Sequence, residues 1–413
     1  MNRHGNNPPP TPKLREEHLQ AYKFFERLHG LFDALRPCAP HFNRKLHFDE
    51  YALGVLFYFF NPAITSLRGL QMATDFKKVQ KSLGIRRMSL GSMSESVRLF
   101  DPALLAGVFE GLVEDATERP VDRRLHGLRQ VLTVVDGTVL PALPRMAWAV
   151  WLGRADRGAK AHVQFEVCKD TPSHVEITAG NTSEVRRLEA SLEAGRLYVM
   201  DRGYVDFDLF REIVKADSSF VVRMNSNTVV ETVEEIPLTE EAVAAGVRTD
   251  RIVHMGWKGS REKFDRPVRF VEVHVPARPP RGLAYPVKKV SSKKGFRRPR
   301  GEAYTLRIAT DRLDLPADVI ALIYRHRWKV ELFFRLLKSV IGCRHLLSDS
   351  IEGVTIQVYC ALIASLLLAE YTGVKPSKRL YELFALYLQG WVDDDELAAA
   401  LGRLKRKEDK RRV

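Results

Sequence analysis

Cysteine is scarce in this chain: Cys38, Cys168, Cys343 and Cys360 are the only four among 413 residues. They form no CxxC pair and share no metal-site spacing with histidine, so neither a zinc site nor a disulfide framework is indicated, and a reducing cytoplasm fits. The twelve histidines contain no HExxH or similar cluster, and a lone one such as His326 reads as structural. A secretory signal is missing too. The start, MNRHGNNPPPTPKLREEH, is polar and proline-rich and reads as a disordered lead-in over 1–13. No clean apolar run is long enough to cross a bilayer. The best candidate, VTIQVYCALIASLLLAEYTG from Val354, is interrupted by Gln357 and Glu370, short of the roughly 20 uninterrupted residues a span needs, and reads as a buried core helix. Acid is in deficit: 65 Lys and Arg stand against 51 Asp and Glu, a formal net charge of +14 and a pI of about 9.6. With a membrane surface disfavoured, that surplus points to nucleic acid as the polyanionic partner.

What is present falls into successive regimes. Residues 14–125 read as mainly helical, through EEHLQAYKFFERLHGLFDAL, FDEYALGVLFYFF stopped by Asn61 and Pro62, SLRGLQMAT and LGSMSESVRLFDPALLAGVFEGLVEDATE. Ser92 or Ser94 is the expected cap of a short helix closing near Phe100, and Asp101 with Pro102 restarts another. Two short helices at a tight junction are compatible with helix-turn-helix DNA binding. Over 126–225 the pattern changes to strand, hairpin, helix, strand, helix, strand: QVLTVVDGT, AHVQFEVCKD with SHVEITAGN and Pro172 in the turn, TSEVRRLEASLEAG, RLYVMDRGY, DFDLFREIVKA and SSFVVRMN. This is the element order of a ribonuclease H-like mixed sheet. In such a sheet Asp136 and Asp201 end neighbouring parallel strands at one edge. Residues 226–303 read as a β-rich insertion. Within it, the run from Lys288 to Arg300 holds seven Lys or Arg residues, and Lys293, Lys294, Arg297 and Arg298 are candidates to track phosphates. Residues 304–372 return to the core with YTLRIAT and a long helix, and 373–413 form a helical basic end.

That helix, IYRHRWKVELFFRLLKSVIG over 323–342, is apolar but for one file of charge. At about 100° per residue, Tyr324, Arg327, Glu331, Arg335 and Lys338 share a sector roughly 80° wide, walled by large apolar residues. A surface helix with an Arg327–Glu331 pair is the plain reading. The two aspartates give it another. Carboxylates held within about 4 Å cost several kcal/mol unless a cation lies between them, and Mg²⁺ suits that place. Two such ions, with Mn²⁺ as a substitute, can activate a nucleophile and stabilise a leaving oxygen in phosphodiester hydrolysis or transfer. Asp136, Asp201 and Glu331 are then the catalytic and metal-binding acids, and Tyr324, Arg327, Lys338 and Arg335 grip DNA phosphates. Asp170, Asp206 and Asp208 fall in a turn or a helix start and are weaker choices.

VVDGT, VMDRGYVDFDLF, FVVRMNSN and YRHRWKVELFFRLLK resemble the DDE transposases of the insertion-sequence-four family. The family signature of Tyr, Arg, Glu and Lys is matched by Tyr324, Arg327, Glu331 and Lys338, and the likeness covers about 130–370. It implies a triad of Asp136, Asp201 and Glu331, with Arg202 added to the DNA contacts, and movement of a DNA element by cutting and pasting. It further implies double-stranded DNA as partner, both inverted repeats and target, a homodimer pairing two ends, a hairpin intermediate supported by the insertion, and a bacterial cytoplasm with nucleoid association. Trp257 in HMGWKGSREK is the candidate for stacking on a displaced base at the hairpin step. Two other readings compete: a DNA-binding regulator that recognises ends without cutting, and a ribonuclease H-like repair nuclease, which lacks a need for the signature.

Overall fold

A computed structural model describes residues 30–37, 45–61, 64–119, 121–141, 146, 148–151, 153–277, 302–339 and 346–409. Lys293, Lys294, Arg297, Arg298 and Gly342 lie outside the described residues, as does most of the first expected helix. The chain divides into two compact units. One holds Met1–Ala116 with Arg335–Val413, the other Thr117–Phe334. The sequence reading had placed 335–372 in the sheet-bearing core; by its contacts that stretch belongs with the N-terminal helices.

The first unit is helical. It opens with α1 (Phe48–Phe60), α2 (Leu67–Thr74), α3 (Lys77–Leu83), α4 (Leu90–Ser96) and α5 (Pro102–Glu114). Ser66 caps α2 and Asp101 caps α5, with Pro102 at the first helical position as expected. The cap of α4 is Ser89, whose hydroxyl accepts from Ser92 N at 3.0 Å, in place of Ser92 or Ser94.

The second unit is built on a ten-stranded sheet. In chain order it comprises β1 (Val131–Pro141), β2 (Val150–Trp151), β3 (Gly153–Glu166), β4 (Thr171–Ala179), α6 (Glu184–Ala190), β5 (Arg196–Met200), α7 (Phe207–Lys215), β6 (Ser219–Arg223), β7 (Val230–Glu235), α8 (Glu240–Ala244), β8 (Val247–Met255), α9 (Lys258–Arg261), β9 (Val268–Val275), β10 (Tyr304–Thr310) and α10 (Ala317–Arg325). Helix α11 (Trp328–Ser339) starts in this unit, and α12 (Ile351–Thr372), α13 (Lys378–Leu388) and α14 (Asp394–Asp409) complete the helical one. The long apolar helix α12 is largely buried and packs on α1 and α5, a core helix as read.

Strands β1, β5 and β6 are parallel, while β3 and β4 add antiparallel on the far side of β1. The expected hairpin turn moves: residues 167–170 make it, Asp170 adopts φ 56°, and Pro172 lies in β4 opposite Phe165. Among the described residues β4 pairs only with β3, so a proline without an N–H is tolerated there. The insertion is β-rich as expected, but its strands continue the same sheet. Strand β10 pairs β6 on one side and β9 on the other, and β8 and β7 follow. Buried Arg269 fixes this extension, donating to both Asp250 oxygens at 2.7 and 2.6 Å and to the Leu313 carbonyl at 2.7 Å.

Beneath the parallel strands, α6 and α7 cover a core of Tyr198, Met200, Leu209, Phe210, Phe220 and Val222. Helix α7 is strongly two-faced, with Leu209, Phe210 and Ile213 buried. At the opposite end of the strands Arg196 ties β5 to Glu166 at 3.0 Å and Thr133 at 3.0 Å. That clamp sets the register from which the other strand ends project.

Candidate active site

Three parallel strands deliver the site. Val134 of β1 pairs with Val199 of β5, and Met200 of β5 with Val222 of β6. Carrying those registers onward sets Asp136, Asp201 and Arg223 in one row across adjacent strands. Asp201 leaves β5 as expected and caps the short 3-10 turn Arg202–Tyr204, accepting from Gly203 N at 2.6 Å. Asp136 differs: β1 does not end there but runs on to Pro141 against β3, with Asp136 opposite Val163. The strand splits, losing β5 after Val134 and keeping β3.

The expected single helix is two. Helix α10 ends at Arg325 and α11 begins at Trp328. Between them His326 N bonds to Ile323 O and Arg327 N to Tyr324 O, bonds across three residues that tighten the chain and reset the helical phase. Arg327 sits in this break and turns its guanidinium inward. It meets Glu331 Oε1 at 2.5 Å and Asp136 Oδ2 at 3.6 Å, with only 11% of its side chain exposed. Tyr324 is buried beside it. The charges of Arg327, Arg223 and Asp201 all act on that phenol. Of the predicted residues, then, Asp136, Asp201, Glu331, Tyr324 and Arg327 converge in one unit. Arg202 is exposed on the turn after Asp201. Arg335 and Lys338 follow on α11 past the unit boundary, the first exposed and the second half-buried. Trp257 is 73% exposed, not a core residue of the insertion.

Burial pushes the Asp136 carboxyl up to about 7, helped by the like charges of Asp201 and Glu184 and opposed by the Gly137 N–H and Arg327. Its Oδ1 accepts from Gly137 N at 2.8 Å. A desolvated carboxylate with other acids nearby favours a cation beside it. The donor set is all carboxylate oxygen, which suits a hard divalent ion. Among the described residues no three acidic, histidine or cysteine groups lie close enough to hold a metal ion; here Arg327 supplies the positive charge between Asp136 and Glu331.

Sequence reading missed three residues at this site. Arg223 ends β6 as the last residue of a strand read only as core, its guanidinium 5.9 Å from the Tyr304 ring centroid. Trp328, half-exposed beside Arg327, presents its ring 5.7 Å from that guanidinium and was read as part of the apolar wall. Glu184 lies against Gly137 on the other face of β1 and acts on Asp136 through its charge. Strand-end position is a usable signal for Arg223; none marks Glu184.

Residues 127–367 match the family model described as "Transposase DDE domain". Over 242 residues the chain is 27% identical to "Putative transposase y4zB" of Sinorhizobium fredii, covering 58% of this chain and 60% of that protein. Over 249 residues it is 27% identical to "Probable transposase for insertion sequence element IS5377" of Geobacillus stearothermophilus, covering 60% of this chain and 58% of that protein. The chain thus spans less than two thirds of either relative. A solved structure, "Cryo-EM structure of piggyBac transposase synaptic complex with hairpin DNA", aligns with 94% of this chain and 85% of its own at 11% identity and a TM-score of 0.39, too slight a likeness to bear on fold or site.

Proposed function

We infer what this chain does from one premise: it belongs to the transposase DDE domain family. We read it as a DNA transposase that cuts at the ends of a mobile element and transfers the freed 3′ ends to target DNA. The observation that carries this reading is the row of Asp136 and Asp201 on paired parallel strands, closed from the helix side by Arg327 and Glu331. The strand order β4-β3-β1-β5-β6 supports a ribonuclease H-like core. The spacing of Tyr324, Arg327, Glu331 and Lys338 supports placement in the insertion-sequence-four group.

Asp136, Asp201 and Glu331 would hold two Mg²⁺ ions, with Mn²⁺ as a substitute. Bound there, the ions would activate the attacking oxygen and stabilise the leaving one. The chain's own groups do the rest. Arg327 turns from the carboxylates to a phosphate oxygen, a better partner for its planar fork than two acids already neutralised. Tyr324 offers its hydroxyl to the same phosphate, and Arg223 stands in the row to take the next. The exposed ring of Trp257 supports a stacking role at a hairpin step. Exposed Arg68, Lys77, Lys78 and Lys81, around an exposed Phe76, support DNA contact by the helical unit. A homodimer that pairs two ends and a cytoplasmic, nucleoid-associated life go with this reading.

One observation favours the non-cleaving regulator: Arg327 locks Asp136 and Glu331 into ion pairs. Incubation of an end-bearing duplex with Mg²⁺ separates the two readings, since a transposase leaves a nick with a 3′-hydroxyl at the element boundary and a regulator leaves bound, intact DNA. Arg327→Ala is expected to weaken end binding and lower the salt slope by about one phosphate contact; an unchanged slope in a salt-titrated binding assay would return Arg327 to a purely structural pair.

A further inference from the structure

Gly137 follows the first acid, and its missing side chain is filled by another residue. A Cβ built there would lie 2.7 Å from Glu184 Oε1 and 3.1 Å from Lys160 Cε. Side chains alternate across the sheet, so Val135 and Gly137 face α6 while Asp136 faces Arg327. Glu184, the first residue of α6, seats its carboxylate in the space that a side chain at Gly137 would fill, next to the residue that carries the first acid. Two groups hold it there. Lys160 of β3 pairs with Oε1 at 2.5 Å, with both side chains mostly buried. Buried Tyr204 lies close to the same carboxylate, whose charge acts on its phenol ahead of those of Asp136 and Asp201. Tyr204 closes the 3-10 turn whose cap is Asp201. One carboxylate therefore lies against the segment bearing Asp136 and close to the tyrosine that ends the turn capped by Asp201.

We propose that Glu184 is a positioning residue that sets the separation of Asp136 and Asp201 by bridging Gly137 and Tyr204 from behind the sheet. The proposal rests on the reading of these two acids as metal ligands. It also gives the glycine after the first acid and the tyrosine of DRGY a shared reason: one admits Glu184 and the other anchors it. Outer groups that orient ligand-bearing segments typically alter metal affinity 10- to 100-fold when removed.

The test uses the full chain and Mn²⁺, with calorimetric titration for affinity and Fe²⁺-driven hydroxyl-radical cleavage of the polypeptide to locate the bound ion. Tyr204→Phe, which deletes one oxygen, and Glu184→Gln, which keeps the shape but not the charge, are each compared with Asp201→Asn. Expected for both positioning variants is a Mn²⁺ dissociation constant raised about tenfold, backbone cleavage near 136 and 201 weakened together, and end-DNA affinity within twofold of the unaltered chain. Glu184→Asp, which keeps the charge but is too short to reach Gly137, should behave like Glu184→Gln, since the role needs both reach and charge. Affinity within twofold in Tyr204→Phe and Glu184→Gln, both folded by circular dichroism, would overturn the proposal and leave Glu184 a structural ion pair. Should Tyr204→Phe alone fold, its affinity decides. Failure of the acid-pair reading looks different: Mn²⁺ binding by the unaltered chain would then be indifferent to Asp201→Asn.

Discussion

Glu331→Gln is expected to lower metal-dependent nicking of end DNA at least a thousandfold while end binding holds or tightens. The size follows from the role. A metal ligand contributes to several kcal/mol of transition-state charge stabilisation, and each 1.4 kcal/mol or so is a factor of ten in rate. The direction for binding follows from charge. Glu331 holds Arg327 at 2.5 Å, and an uncharged glutamine frees that guanidinium for phosphate while removing one negative charge facing the DNA. Nicking and filter binding on the same duplex read the two effects separately. Nicking that persists near the starting rate would move the third ligand elsewhere.

Asp136→Asn is expected to stabilise the metal-free protein at pH 8 and to leave it nearly unchanged at pH 4. Burial lifts the Asp136 carboxyl from an ordinary value near 4 to about 7 in the folded chain. The folded state thus holds a proton that the unfolded state has released. Its contribution to stability is complete below about pH 4 and is lost as the pH rises through 7. Above 7 the carboxylate is charged, desolvated and close to other acids, at a cost on the order of 2–4 kcal/mol. Asparagine carries no such cost. Chelator-treated protein, unfolded by urea at the two pH values, should show the variant's advantage only at the higher one. An equal midpoint at pH 8 would mean that Arg327 already keeps Asp136 ionised without penalty.

The parts of this site that lie on single elements were legible. Buried apolar runs ending in Asp-Gly and Asp-Arg-Gly marked Asp136 and Asp201, because a strand and the turn after it are local patterns. The parts made by pairing were not. Strand β1 outlives its partner β5, so Asp136 lies within a strand, and no residue signals where a neighbour stops. Apolar periodicity runs unbroken through 323–337, so the break at His326 and Arg327 was hidden, although it is what turns Arg327 inward. Pro172 invited a turn reading that its edge position made unnecessary. The insertion was recognised as β-rich, but its continuity with the main sheet depends on β10 bonding two partners far apart in sequence. Glu184 reaches the site only through a missing side chain on the far face, which no spacing rule describes.

The central claim is that Asp136 and Asp201 form a metal-dependent cutting site for DNA ends. It is tested most directly with a supercoiled plasmid carrying the element's two ends, incubated with Mg²⁺ or Mn²⁺ and either the unaltered chain or Asp201→Asn. Excision at the element boundaries by the unaltered chain alone is the predicted result. Binding of both proteins to the ends with no cut by either would contradict it and identify the non-cleaving regulator.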